Sequence, residues 1–440
     1  MAGESQETTL GEIAEAGGYG LVDGPFGSNL PASCYVENGV PVVRGSNLTV
    51  GPGRFRDDGF VFVSTATAKR LERSLCRPLD IVLTKKGTLG QTGLIPSGGQ
   101  HAVYLLSSNQ MKLTVDRAVA TPLFVYYFLS SPASVAKIIR DSEATGVPKT
   151  NIAYLRDFPI TLPRLPEQRA IAHILSTLDD KIALNSRMNS TLEGISRAIF
   201  KSWFVDFDPV KQKAAGKQPV GMDAQTAALF PYSFEDSEIG ELPKGWVAVP
   251  LAQMLSPRNE RAGDRALIEY SSTNEGVFPR SERFNKQLAV SASKNKVIKR
   301  GDLVFGLSRE VLNFGLMRDE IGSVSGAYKV FSIDGRMLTP DLLERIMRSR
   351  PNYYYGAVSA SSREGQAVST DSLLGLLVVV PPADLQAAFY ETANKLDAAM
   401  VSCDRQARTL AALRDTLLPK LLSGEVRVPE AEGAIASATR

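Results

Sequence analysis

Apolar residues recur at helical spacing through LSTLDDKIALNSRMNSTL, residues 175–192, with an asparagine where the apolar seam would continue. The pattern extends both ways as heptads. Its first column is Ile171, Leu178, Asn185, Leu192 and Ile199, and its second is Ile174, Lys181, Met188, Ile195 and Ser202. A second long helix follows the same template near the C-terminus. There Phe389, Leu396, Cys403, Leu410 and Leu417 form one column, and Thr392, Ala399, Gln406, Leu413 and Lys420 the other. Both seams are apolar at their ends and polar or small in the middle. A polar residue in such a column weakens a coiled coil while fixing its register. Antiparallel pairing would put Asn185 and Cys403 in one central layer of a rod about 57 Å long, for roughly 38 residues. The plainer alternative is two amphipathic helices buried in separate cores.

The helices are not the only feature that returns. Shifting the chain so that Pro163 falls on Pro381 also places Gln168 on Gln386, Leu178-Asp179 on Leu396-Asp397 and Thr191-Leu192 on Thr409-Leu410. The same shift lays DRAVATPLFVYYFLSS (116–131) over DGRMLTPDLLERIMRS (334–349), matching Asp116 to Asp334 and Thr121-Pro122 to Thr339-Pro340. A slightly larger one brings Asp80, Val82, Gly93 and Leu94 onto Asp302, Val304, Gly315 and Leu316. Ordered matches along most of both halves mark a tandem duplication.

Each copy reads as a strand-rich globular part followed by one long helix. DIVLT and DLVFG are short strand-like runs, while TPLFVYYFLSS and TPDLLERIMRS are helices opened by Thr then Pro. The expected fold class is therefore α+β, with two mixed α/β globular domains and two long antiparallel helices as a coiled-coil spacer. The expected boundaries are a first domain at 1–162, a spacer helix at 163–205, a surface linker at 206–240, a second domain at 241–380, a second helix at 381–422 and a loose tail at 423–440.

Composition narrows the class without naming it. With 440 residues, 43% hydrophobic and 22% charged, the chain has the make-up of a globular protein of two or three domains. No apolar run is long enough to span a bilayer, and the acidic N-terminus lacks the pattern of a signal peptide. Cys34, Cys76 and Cys403 are widely spaced and odd in number, which suits a reducing cytoplasm. A net charge of +3 permits a nucleic-acid partner through local patches without demanding one.

Catalytic chemistry is hard to assemble. The two histidines, His101 and His173, belong to a loop and to the long helix. No Ser/His/Asp set can be built from them. There is no G-x-x-x-x-G-K-[ST] phosphate loop, and GTLGQTG (87–93) lacks the strand-to-helix context of a nucleotide site. No amino-methyltransferase motif pair occurs. Asp206 and Asp208 lack a third carboxylate nearby for a metal. The expectation is no catalytic residue, no metal and no cofactor in this chain.

Loops that mix cations, amides and hydroxyls are the groups that meet base edges and phosphates. The first copy offers GPFGSNL (24–30), TKKGTLGQT (84–92) and ATGVPKTN (144–151), and the second offers GLSREVLN (306–313) and SASSREGQAVST (359–370). The candidate DNA contacts are Phe26, Ser28, Lys85, Lys86, Thr88, Gln91, Lys149 and Asn151 in the first copy. Those in the second are Ser308, Arg309, Asn313, Ser362, Arg363 and Gln366. Taken singly, each reads more readily as a solvated loop residue. Similar scaffolds with divergent loops are what two readers of different sequences would show.

Several stretches resemble one family over nearly the whole chain: DGPFGSNL, GVPVVRGSNL, LPRLPEQRAIAHILSTLDDKI, NSTLEGISRAIFKSWFVDFDPV, TAALFPYSFEDSEIGELPKGW and RDTLLPKLLSGEV. They are similar to the specificity (S, or HsdS) subunit of type I restriction-modification systems. The resemblance implies two target-recognition domains, each reading half of a bipartite DNA site, and helices that set the spacer between the halves. It further implies a non-catalytic chain in the cytoplasm, without a membrane partner. Double-stranded DNA, two methyltransferase subunits and restriction subunits would be its partners, and S-adenosylmethionine, ATP and Mg would be bound by those subunits. The chain departs from the family pattern at its N-terminus, which lacks the LPKGW of residues 242–246, and at PPADLQ, where the first copy has LPEQ. Two other classes stand against this reading. An enzyme acting alone on DNA would bind S-adenosylmethionine itself, and a bare coiled-coil spacer would show no salt-dependent DNA binding.

Overall fold

The computed structural model describes residues 5–51, 53, 55–142, 147–282, 292–306, 312–354 and 369–438. The chain divides into two compact units, residues 1–190 with 400–440, and residues 191–399.

The first unit holds two five-stranded sheets. One runs in the order Tyr35–Val36, Val61–Val63, Val40–Val43, Tyr104–Leu106, Leu75–Cys76, and in it Val40–Val43 lies parallel to Tyr104–Leu106. The other runs Leu21–Asp23, Gln110–Leu113, Ile81–Thr84, Gln91–Leu94, Thr49–Val50, antiparallel throughout. The second unit repeats this plan with four strands in each sheet. Val277–Pro279, Glu269–Ser272, Ile321–Val324 and Lys296–Lys299 form one, again with its single parallel pair, Glu269–Ser272 beside Ile321–Val324. Leu255–Pro257, Lys329–Ile333, Leu303–Phe305 and Phe314–Leu316 form the other.

The matches seen in the sequence are matches of structure. Val82 pairs with Gly93 and Val304 with Gly315. Both glycines are set by close approach: a Cβ would lie 2.7 Å from Leu48 Cδ2 at Gly93 and 2.8 Å from Gly276 Cα at Gly315. Gln168 and Gln386 each donate to the carbonyl five residues back, Pro163 at 2.9 Å and Pro381 at 2.8 Å. Asp80 and Asp302 are both buried, but their cations come from different strands. Lys112 serves Asp80 at 2.9 Å and Arg258 serves Asp302 at 2.7 Å.

Two helices, Leu165–Phe204 and Ala383–Ser423, are continuous across the residue ranges of both units. In the first unit Arg414 donates to Asp179 at 2.6 Å and Asn189 donates to Asp404, so the two helices run antiparallel there. That register sets Asn185 level with Arg408 and Cys403 level with Ser190. The expected shared layer of Asn185 and Cys403 is therefore displaced by about five residues. In the second unit Phe200 and Phe204 pack on Phe389 in the same sense.

The first heptad column is buried or half-buried along both helices, Asn185 and Cys403 included. The second column differs from expectation. Met188 and Ile195 are 44% and 43% exposed, and Lys181 and Gln406 face solvent. The column that closes the seam lies one residue further on, at Leu175, Ile182, Asn189, Ser196 and Trp203, with Ala393, Met400, Ala407, Arg414 and Leu421 on the second helix. Spacings of three and four both return to one helix face. The apolar Met188 and Ile195 make the wrong column look like the seam.

Two segments also differ in character from expectation. The segment expected as a surface linker forms helices Asp208–Ala214 and Ala224–Ala228, and Phe207, Val210 and Phe230 enter the second unit's core beside Trp203 and Trp246. The segment expected as a loose tail forms a helix over Val428–Ala438, whose Ala431 is fully buried in the first unit's core. Polar, Pro- and Gly-rich composition concealed a few anchoring apolar residues in each. Among the described residues no single helix is long and apolar enough to cross a membrane.

Candidate nucleic-acid interface

The candidate loops of the first unit leave one rim of its antiparallel sheet. The pairings Met111 with Asp23, Gln110 with Thr84 and Thr49-Val50 with Thr92-Gln91 put the ends of five strands side by side. Phe26 and Ser28 follow Asp23 directly; Phe26 is 80% exposed and Ser28 is exposed. Lys85 follows Thr84, and its Nζ lies 3.1 Å from Asp23 Oδ1. Backbone hydrogen bonds then tie the second loop to the third: Gly87 donates to Pro148 at 3.1 Å and Thr150 to Lys85 at 2.9 Å, around a bridge between Lys86 and Lys149. Lys86, Thr88 and Lys149 are exposed. The structure thus brings the described parts of these loops to one edge, with Lys86 and Lys149 outward and Lys85 half-buried against Asp23.

The two amides have local duties. Gln91 accepts from Thr84 at 3.0 Å and donates to the Gly45 carbonyl at 3.2 Å, bracing the hairpin. Asn151 caps helix Ile152–Arg156 by accepting from the Tyr154 amide at 2.8 Å. An amide engaged in this way has less capacity left for a base edge.

In the second unit the corresponding rim carries the connection from Phe305 to Phe314, closed at its base by Gly306 donating to the Asn313 carbonyl at 2.9 Å. Ser308, Arg309, Ser362, Arg363 and Gln366 lie outside the described residues. A group of cations that loop reading did not find stands at the same rim. Lys329 begins its strand opposite Phe305. The buried Lys296 reaches the Tyr328 carbonyl at 2.8 Å, and the backbone of Arg261 forms an isolated antiparallel bridge with that of Lys296. These residues lie on or beside strands, where the composition that marks a loop gives no signal.

The remaining chemical candidates have structural surroundings. His101 sits among Phe60, Phe62 and Tyr104 at ring-centroid distances of 5.9, 6.0 and 5.8 Å, and His173 is an exposed helix residue. Asp206 takes Lys201, and Asp208 lies in the first turn of its helix. Among the described residues no His, Cys, Asp and Glu cluster could hold a metal ion. The three cysteines are unbridged, and burial pushes the Cys76 thiol well up from its ordinary value.

Comparison with known proteins places this architecture. The model of the type I restriction modification DNA specificity domain matches residues 37–194. The type I restriction enzyme MjaIX specificity subunit of Methanocaldococcus jannaschii is 24% identical over 394 residues, covering 84% of this chain and 84% of that protein. The HindI specificity subunit of Haemophilus influenzae is 32% identical over 154 residues, a third of each chain. In fold, the chain is similar to the type I restriction-modification S subunit from M. genitalium, with a TM-score of 0.51 at 13% identity over 95% of this chain and 96% of that one. With a repeated two-sheet plan and paired long helices, this chain carries a match to the type I restriction modification DNA specificity domain over residues 37–194 and is similar along most of its length to type I specificity subunits.

Proposed function

We propose that the chain is the non-catalytic DNA-reading subunit of a type I complex, each of its two domains reading one half of a bipartite duplex target. The observation that carries this is the twice-used sheet plan with differing rims. Strand order and the single parallel pair recur, while the rim of one unit presents Lys85, Lys86 and Lys149 and that of the other Lys329 and Arg261. A constant scaffold with altered loops suits two different half-sites. The long helices would set the spacing between half-sites and receive two methyltransferase subunits. Leu184, Met188 and Ile195, exposed on one face of the first helix, suit such an interface. Restriction subunits would join that assembly in the cytoplasm. S-adenosylmethionine, ATP and Mg would be supplied through those partners. The test is a map of methylated adenine in genomic DNA with and without this gene. Loss of one split motif on deletion is expected, and an unchanged map in cells producing the whole complex would overturn the reading.

A further inference from the structure

Most cations near the second unit's rim are matched within the chain. Arg258 is held by Asp302, and Glu260 takes both Arg265 and Lys299. Lys296, Lys329 and Arg261 form no ion pair with a carboxylate among the described residues. Lys296 is 7% exposed, and its Nζ donates to the carbonyl of Tyr328, the residue before Lys329. The backbone of Arg261 pairs with that of Lys296 in an isolated antiparallel bridge, and its guanidinium donates to the Lys294 carbonyl at 2.6 Å. Burial lowers the Lys296 pKa, and the neighbouring charges of Lys329 and Arg261 lower it further. Three cations on neighbouring backbone positions, one of them buried, favour an incoming anion. The cluster stands where Lys329 faces Phe305, at the edge from which the 306–313 connection departs.

We propose that Lys296, Lys329 and Arg261 hold one backbone phosphate of the duplex beside the second half-site, positioning that domain without reading a base. This rests on the DNA-reading role proposed above. Among the described residues of the first unit, the position matching Lys329 carries no cation. There Met111 occupies the position of Lys329, and the neighbouring Lys112 is engaged with the buried Asp80.

The test uses the complex assembled with its methyltransferase subunits and a duplex bearing the mapped motif, with affinity followed against salt. Arg261→Ala with Lys329→Ala is expected to weaken binding about tenfold, the worth of one charge-assisted hydrogen bond. The salt dependence should become shallower by about one phosphate. Lys329→Arg should restore most of the loss, and the methylated motif should stay the same. Lys329→Gln alone gives the same direction of change should the double variant fold poorly. Unchanged affinity and salt slope would overturn the proposal, as would an equal effect from the remote Lys244→Ala or a changed motif. A wild-type complex that binds no bipartite duplex would instead remove the DNA-reading role on which it rests.

Discussion

Arg414 of the second long helix donates to Asp179 of the first at 2.6 Å, and Tyr127 of helix Pro122–Ser130 donates to the same carboxylate at 2.7 Å. One buried acid therefore joins both helices and the sheet-bearing part of the first unit. The side chains are 7% and 11% exposed, so loss of one partner strands a charge out of water. Arg414→Met should cost about 3–5 kcal/mol, and Tyr127→Phe about 1 kcal/mol. Denaturant unfolding of the two variants and their combination would measure the coupling, which should be non-additive because the residues share Asp179.

The duplicated carboxylates Asp80 and Asp302 should differ in sensitivity. Lys112, the partner of Asp80, is 4% exposed, while Arg258, the partner of Asp302, is 23% exposed and can reach water. Asp80→Asn leaves a buried ammonium and should cost about 3–5 kcal/mol. Asp302→Asn should cost about half of that. Thermal unfolding of the two variants checks the order, and equal losses would show that strand context, rather than solvent access of the cation, sets the cost.

Much of this organisation was legible in the sequence, and the parts that were not share a cause. The repeat could be read because Gly93, Gly315, Gln168 and Gln386 do the same work in each copy and admit few substitutes. The long helices were legible from apolar spacing, but their second seam column was not. Its members include Asn189, Ser196, Ala407 and Arg414, while the apolar Met188 and Ile195 face solvent. Phe207, Phe230 and Ala431 were hidden in polar surroundings whose composition suggests linkers. At the rims, residue type could not tell a free amide from one engaged locally. Gln91 and Asn151 differ from a base-reading amide only through partners supplied by the fold.

Gln168 gives a more local test. Its side chain accepts from the Thr121 amide at 2.9 Å while donating to the Pro163 carbonyl, and it is nearly fully buried. Gln168→Leu would leave both backbone groups without a partner and should cost about 2 kcal/mol. Hydrogen exchange at the Thr121 amide should accelerate correspondingly. Gln386, half-buried and donating to both Pro381 and Met337, is expected to lose less.

Ending the chain after Ser423 should weaken the first unit selectively. Removal of helix Val428–Ala438 uncovers the core around Ala431 and the partly buried Val428 and Ile435. About 2 kcal/mol is a minimum for that apolar surface, or a fall of about 4–8 °C in Tm for a unit of this size. Exchange protection should drop in the strands of the first unit and stay constant in the second. Uniform loss across both units would mean that they unfold as one.

The exposed face of the first long helix yields the last prediction. Leu184, Met188 and Ile195 are 51%, 44% and 43% exposed and recur at spacings of four and seven. None lies in the closed seam, so a charge there costs the fold little. Leu184→Glu with Met188→Glu should leave the Tm of the chain within about 2 °C, since exposed substitutions of this kind shift stability by roughly half a kcal/mol. The same pair should abolish co-purification with the methyltransferase subunit, because a desolvated carboxylate within an apolar contact is strongly unfavourable. The measurement is affinity capture of the methyltransferase from cells producing both chains. Full capture by a folded double variant would place methyltransferase docking on another face of these helices.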